Sequence, residues 1–239
     1  MIQRMATQDF DIAELAAYLH LTPQQVTRLA ERERLPGRKV GGDWRFARAE
    51  IHHWLEDRIG LSDEQELVEV ETVLQRNAPV EHRDEVSIVD LLPEEAIAVP
   101  LTARTRDSVI RAMVDLAAGT GLLWDPEAMA DAVRKREEMH PTALDIGVAL
   151  LHPRRPMSKI LGQPFLALGV TTSGIPFGAG VPMSDVFLLI CSTDDRRHLQ
   201  VLARLSRVLA APGFLNALHR AGTPADVREL IAETEQDLD

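Results

Sequence analysis

A single cysteine in 239 residues, Cys191, excludes an internal disulfide and, without a second thiol, a cysteine-rich zinc site. Within DVFLLICS it reads as a small buried apolar residue. Long apolar runs are missing as well: none approaches the ~18 residues that a membrane span needs. The opening MIQRMATQDF lacks the basic, apolar and small-residue regions of a secretion signal. No membrane insertion and a cytoplasmic address are therefore expected. There is no internal repeat and no low-complexity tract, and 45% apolar with 26% charged residues is ordinary for a folded globular chain. Positive charge is lacking overall, since the net value is −11 at neutral pH, which would repel phosphates if it were spread evenly. It is concentrated instead. Residues 1–60 hold nine Lys/Arg and nine Asp/Glu, leaving 17 basic against 28 acidic residues after position 60.

What the chain does contain divides it into modules. In DFDIAELAAYLHLT, Phe10, Ile12, Leu15, Ala16, Leu19 and Leu21 recur at near-helical spacing. TPQQVTRLAERERLP then opens a second helix with Thr22 as N-cap, Pro23 at the first helical position and Gln25 completing a capping box. Two helices across a short turn make a helix-turn-helix candidate. LPGRKVGGDWRFAR follows as a β-hairpin around Gly-Gly-Asp, and AEIHHWLEDRI returns to helical spacing. This order resembles the excisionase and MerR-like winged helix-turn-helix domains over residues 9–59, on the strength of DIAELAAYL, Thr22-Pro23, LPGRKVGG and FARAEIHHWL.

Such a domain sets its second helix in the major groove of double-stranded DNA. With Val26 and Leu29 inward, Gln24, Gln25, Arg28 and Arg32 face out, and these residue types suit adenine and guanine edges. Arg38, Lys39 and Arg45 on the hairpin would reach phosphates or the minor groove. Asp43, Glu31 and Glu33 weaken the basic patch, so tight binding is expected to need dimerisation. Residues 61–84 read either as an acidic, partly helical linker, in which Leu67, Val70 and Val73 or Leu74 would give a homodimer one amphipathic face, or as a solvated tether.

From 85 to 239 strands and helices alternate. EAIAVPL, IGVALLH, PFLALGVT and DVFLLICS read as short buried strands. RDSVIRAMVDLAAG, DPEAMADAVRKREE, DDRRHLQVLARLSRVLA, GFLNALHRA and TPADVRELIAETEQ read as helices. The expected class is α/β: a small winged helix-turn-helix domain plus a three-layer α/β/α domain with a mixed sheet. In DIGVALLHPRR a buried strand ends on His152. After the strand DVFLLIC, STDDRRHLQVL starts a helix with Ser192 or Thr193 as cap and His198 about one turn in. Two imidazoles at strand ends of one sheet can face each other, and neutral imidazole is a nucleophile at physiological pH.

RKREEM, IGVALLH, GIPFGAGVPMSDVFLLICSTDDRRHLQVLARLSRVL and TPADVRELIAET together resemble the IIA proteins of the sugar phosphotransferase system, in the fructose, mannitol and nitrogen-regulatory (PtsN-like) family, over roughly residues 86–236. The resemblance implies that His152 accepts phosphate from the phosphocarrier protein HPr, with His198 beside it and Arg136 of the Arg136-Glu137 pair supporting the site. No cofactor and no metal are expected. The chain departs from that pattern at Leu151, Pro153 and His140-Pro141, leaving Thr142 as the nearby hydroxyl. Three functions follow as expectations: a DNA-binding regulator controlled by phosphorylation of its IIA-like domain, a phosphocarrier serving a sugar permease, and an unphosphorylated sensor that binds an anion, a metal or a protein. The metal reading would use His140, His152 and His198. Arg154 and Arg155 suit an anion or simply a solvated turn, while His52, His53 and Asp145 need no chemical role.

Overall fold

The computed structural model describes residues 9–55, apart from 20, 49, 52 and 53, and residues 86–238, apart from 140 and 179–181. The expected linker, with Asp63, Glu64 and Glu66, lies outside the described residues, as do His52, His53 and His140. The chain divides into two compact units, Met1–Glu85 and Val86–Asp239.

In the first unit α1 (Ile12–Leu19) starts on a reciprocal cap, in which the Asp11 N–H donates to Glu14 and the Glu14 N–H to Asp11. α2 (Pro23–Glu31) carries the expected capping box: the Thr22 N–H donates to Gln25 Oε1 at 2.7 Å and the Gln25 N–H to Thr22 Oγ1 at 3.3 Å. Val26 is buried as expected, but Ala30 takes the second inward place and Leu29 is only half-buried. β1 (Arg38–Val40) and β2 (Asp43–Arg45) pair antiparallel through Arg38↔Arg45, Lys39↔Trp44 and Val40↔Asp43. Their two-residue turn is Gly41-Gly42, with φ of 63° and 95°, the left-handed geometry that matches the twist of a tight hairpin. A bridge between Phe10 and Phe46 fastens the hairpin to the start of α1. Trp54 donates its indole N–H to the Arg34 carbonyl at 2.8 Å, and Leu15, Val26, Phe46 and Ile51 close the core.

The second unit runs α3 (Ile88–Leu91), β3 (Ile97–Ala98), α4 (Arg106–Gly119), α5 (Pro126–Met139), β4 (Val148–Leu151), β5 (Phe165–Ile175), β6 (Ser184–Cys191), α6 (Asp195–Ala210), α7 (Phe214–Leu218) and α8 (Pro224–Leu238). The sheet order is β3-β5-β6-β4. β3 lies parallel to β5, β5 antiparallel to β6, and β4 parallel to β6 with Leu151 opposite Leu189. The sheet is therefore mixed. Ala149, Leu151, Ala167, Phe187, Leu189 and Cys191 face one way, against Val109, Met113 and Val114 of α4 and Met129 and Val133 of α5. Alternation sends Leu150, Leu166, Leu168, Leu188 and Ile190 to the opposite face, on the side of α3, α6 and α8, and all of them are buried. Gly169 sits mid-sheet where a Cβ would come within 2.8 Å of Leu101 and Met113, so its missing side chain lets α4 lie close on β5.

The expected seven-residue strand EAIAVPL shrinks to Ile97–Ala98, because residues 94–96 form a tight helical turn and Pro100 has no N–H for the ladder. α3 is capped from the far end of the chain. Glu235 of α8 accepts from the Ile88 N–H at 2.8 Å, the Val89 N–H at 3.1 Å and the Ser87 hydroxyl at 3.3 Å. Arg204 of α6 pairs with the same carboxylate at 3.2 Å, and both side chains are buried. Among the described residues, no helix is long and apolar enough to cross a membrane.

Candidate functional site

The buried stripe of α5 is Met129, Ala130, Val133, Arg136 and Glu137. Its first three members are apolar; the last two, at positions that continue the same face, are charged. Burying a charge is costly unless it is held, and Glu137 is held. Its carboxylate accepts from the Thr142 N–H at 3.2 Å, from the Thr142 hydroxyl, and from Arg106 at 3.4 Å. Burial pushes the Glu137 pKa above the ordinary glutamate range, against the hydrogen bonds of Thr142 and the charges of Arg106 and Arg136.

Thr142 passes this anchor on to the sheet. Residues 142–144 run antiparallel along the outer edge of β4: the Leu150 N–H donates to the Thr142 carbonyl at 3.2 Å, the Leu144 N–H donates to the Val148 carbonyl at 2.7 Å, and Ala143 bridges Ala149. The Leu150 carbonyl points onward to His152, whose Nδ1 lies 2.7 Å away. A carbonyl only accepts, so Nδ1 carries the proton and Nε2 of the neutral ring keeps its lone pair.

The parallel pairing of β4 and β6 ends both strands on the same side of the sheet, the usual place for a site in an α/β fold. His152 follows β4, and His198 lies in the first turn of α6 just after β6. Their ring centroids are 4.9 Å apart with the planes inclined by 55°, and both rings are buried. Asp194 caps α6 by accepting from the Arg197 N–H at 2.9 Å. This corrects the expected cap at Ser192 or Thr193, since an Asx cap serves as well and Ser192 is engaged elsewhere: its hydroxyl lies 3.2 Å from His198 Nδ1. Arg154 and Arg155 are exposed on the turn after His152, and Cys191 is a buried thiol whose pKa burial raises. Among the described residues no cluster of His, Cys, Asp or Glu could hold a metal ion.

Residues 90–234, more than half of the chain, match the family described as phosphoenolpyruvate-dependent sugar phosphotransferase system, EIIA 2. The chain belongs to this family. Ahead of its EIIA 2 body, residues 10–59 match a helix-turn-helix domain family. The fructose-specific EIIA component of the phosphotransferase system from Haloferax volcanii is 28% identical to the EIIA 2 body over 153 residues, covering 63% of this chain and 97% of that protein. A fructose-specific EIIABC component from Bacillus subtilis is 25% identical over 149 residues, covering 61% of this chain and 23% of that protein. The EIIA 2 body shares its fold with IIA mannitol from Escherichia coli, at a TM-score of 0.53 and 21% identity over 58% of this chain and 97% of that one.

In the helix-turn-helix unit, Gln24, Gln25, Arg28, Arg32, Arg38 and Lys39 are exposed and Arg45 is half-buried. Two of them are already engaged. Gln25 Oε1 serves the cap of α2, so an adenine edge would meet only its amide nitrogen, whereas Gln24 is not bound to that cap. Arg38 pairs with Asp9 at 2.7 Å, an acidic partner that the sequence pattern did not single out. Lys39 lies 5.2 Å over the Trp44 ring.

The raised Glu137 pKa has a measurable consequence. The folded EIIA 2 body keeps this proton where the unfolded chain has lost it, so the contribution of Glu137 to stability is full below the ordinary glutamate pKa and is lost as pH rises through the higher folded value. Glu137→Gln cannot ionise, and its melting temperature is expected to vary less with pH over that window than that of the unmodified protein. Parallel slopes in thermal melts of the two would contradict this.

Proposed function

We propose that the protein is a DNA-binding regulator whose EIIA 2 body accepts a phosphoryl group on His152 from an HPr-like phosphocarrier and couples that state to DNA binding. Its modules are a head of residues 1–60, a linker of residues 61–84 and a body of residues 85–239. The observation that carries the reading is the buried pair of rings 4.9 Å apart, with His152 Nδ1 committed to a carbonyl. The lone pair of Nε2 attacks the phosphorus of the donor's phosphohistidine. A nitrogen–phosphorus bond forms as the donor's breaks, and the donor imidazole leaves with the electron pair. The roles given to His198 and Arg136 are to neutralise the phosphoryl oxygens.

Fusion to a helix-turn-helix unit favours a regulator, because a carrier that serves a permease gains little from being tethered to DNA. The groove contacts are assigned to Gln24, Arg28 and Arg32, with Gln25 offering its amide N–H groups, and the backbone contacts to Arg38, Lys39 and Arg45. A phosphoryl group adds about −1.5 to −2 charges, which is small beside the −11 of the chain. Coupling is therefore assigned to local effects at Arg154 and Arg155, exposed on the turn after His152, rather than to bulk repulsion, with a change in the assembly of a homodimer on its half-sites as the readout.

The test incubates the full chain with phosphoenolpyruvate, enzyme I and HPr, maps any phosphohistidine, and titrates both forms against a DNA site obtained by selection. About a tenfold difference in affinity or a change of oligomeric state is expected. Equal behaviour of the two forms rejects coupling. The second reading, a phosphocarrier, is favoured by the likeness to the Haloferax volcanii component across nearly its full length. Onward transfer to a permease component, with no enriched DNA motif, would select it.

A further inference from the structure

The two histidines have unlike partners. Beside His152 stands the Leu150 carbonyl, which can only accept; beside His198 stands the Ser192 hydroxyl, 3.2 Å from Nδ1, which can donate or accept. Ser192 is 3% exposed and follows β6 directly. Its backbone is tied down as well, because its carbonyl accepts from the Met157 N–H at 3.2 Å, on the loop that leaves His152. With Asp194 capping α6, nothing in the helix start requires a hydroxyl at 192.

We propose that Ser192 is a positioning residue for His198, holding its ring through Nδ1 and following its protonation by rotation of the hydroxyl. When His198 is neutral the hydroxyl donates to Nδ1, and the ring proton sits on Nε2. When the ring takes a second proton, it binds at Nδ1 and the hydroxyl turns to accept it. Nε2 carries an N–H in both states, which is the donor that a phosphoryl oxygen on His152 requires, and no buried hydrogen bond at Nδ1 is lost between them. The proposal rests on the reading of His152 as the phosphoryl acceptor. The ionisable groups to set beside His198 include His152 across from it, Asp194, Asp195, Arg196 and Arg197 at the start of α6, the neutral Cys191 thiol before Ser192, and the buried Arg136 that the proposed function gives to the same site.

The experiment uses the full chain and its variants Ser192→Ala, Ser192→Thr and Ser192→Cys. Imidazole nitrogen–proton correlation spectra follow the titration of His198, and the rate of phosphoryl uptake from phosphorylated HPr is measured against pH. A charged donor loses more than a neutral acceptor when the hydroxyl is removed, so the His198 titration in Ser192→Ala is expected to move down by ~0.5 pH unit or more. Uptake is expected to fall ~10-fold, with its pH profile displaced in the same direction. Ser192→Thr restores both. If Ser192→Ala does not fold, Ser192→Cys, close in shape but a weak donor, gives the same comparison. An unchanged titration and rate profile in a folded variant overturns the proposal. Failure of the unmodified protein to take up phosphate overturns the acceptor reading instead, and the titration alone then decides whether Ser192 controls His198.

Discussion

His152→Ala is expected to take up no phosphoryl group from phosphorylated HPr, while His198→Ala is expected to be labelled ~10²–10³-fold more slowly. The asymmetry follows from what each ring does in the proposed reaction. The nitrogen that forms the new bond cannot be replaced by a neighbour 4.9 Å away whose Nδ1 meets a hydroxyl rather than a carbonyl. A group that only steadies developing charge can be lost with the bond-forming atom still in place, and the rate then falls without vanishing. Uptake of radiolabelled phosphate, followed by proteolytic mapping, separates the two. Undiminished labelling of His152→Ala would move the acceptor to another residue.

Glu235→Ala is expected to lower stability by ~3–5 kcal/mol, the usual effect of removing one member of a buried ion pair. The melting transition of the EIIA 2 body then drops on the order of 10 °C. Two losses combine. Arg204, 5% exposed, keeps a charge in the interior without its carboxylate at 3.2 Å, and the N–H groups of Ile88 and Val89 lose their acceptor at the start of α3. The double variant Arg204→Met/Glu235→Leu removes the guanidinium that has lost its carboxylate but does not restore an acceptor to the Ile88 and Val89 N–H groups, so it is expected to fall between the single variant and the unmodified protein. A melt of Glu235→Ala within 2 °C of the unmodified protein, well under the shift of ~2–4 °C per kcal/mol, would show that the pair adds little to the fold.

Much of this architecture was legible in the residues. The helix expected over RDSVIRAMVDLAAG is α4 from end to end, because its apolar spacing and its start after Thr105 agree. The histidine pair was legible for a different reason: two strands of apolar residues each stop at a polar boundary, and a shared sheet brings such boundaries together. Arg136 and Glu137 stand out because they break an apolar stripe without leaving it. Ser192 gave no comparable signal, since Ser, Thr and Asp are near-equivalent as helix caps and only the backbone geometry chose Asp194. The Asp9–Arg38 pair joins residues 29 positions apart, a separation that no local spacing rule reaches. EAIAVPL reads as a longer strand than the Ile97–Ala98 it forms because its apolar content outweighs its proline in the pattern.

The grip of Glu235 on residues 87–89 also bears on the order in which the molecule comes together. Those hydrogen bonds join positions about 147 residues apart, and β3 pairs with β5 across some seventy more of sequence than a hairpin would need. As the chain leaves the ribosome, the helix-turn-helix unit has its own contacts within reach early. The first turn of the EIIA 2 body must wait, its N–H groups open to solvent, until the last helix has been synthesised. A stalled or truncated copy that lacks α8 would then carry a finished helix-turn-helix unit on an unfinished body, with strands β3 to β6 open to the wrong partners.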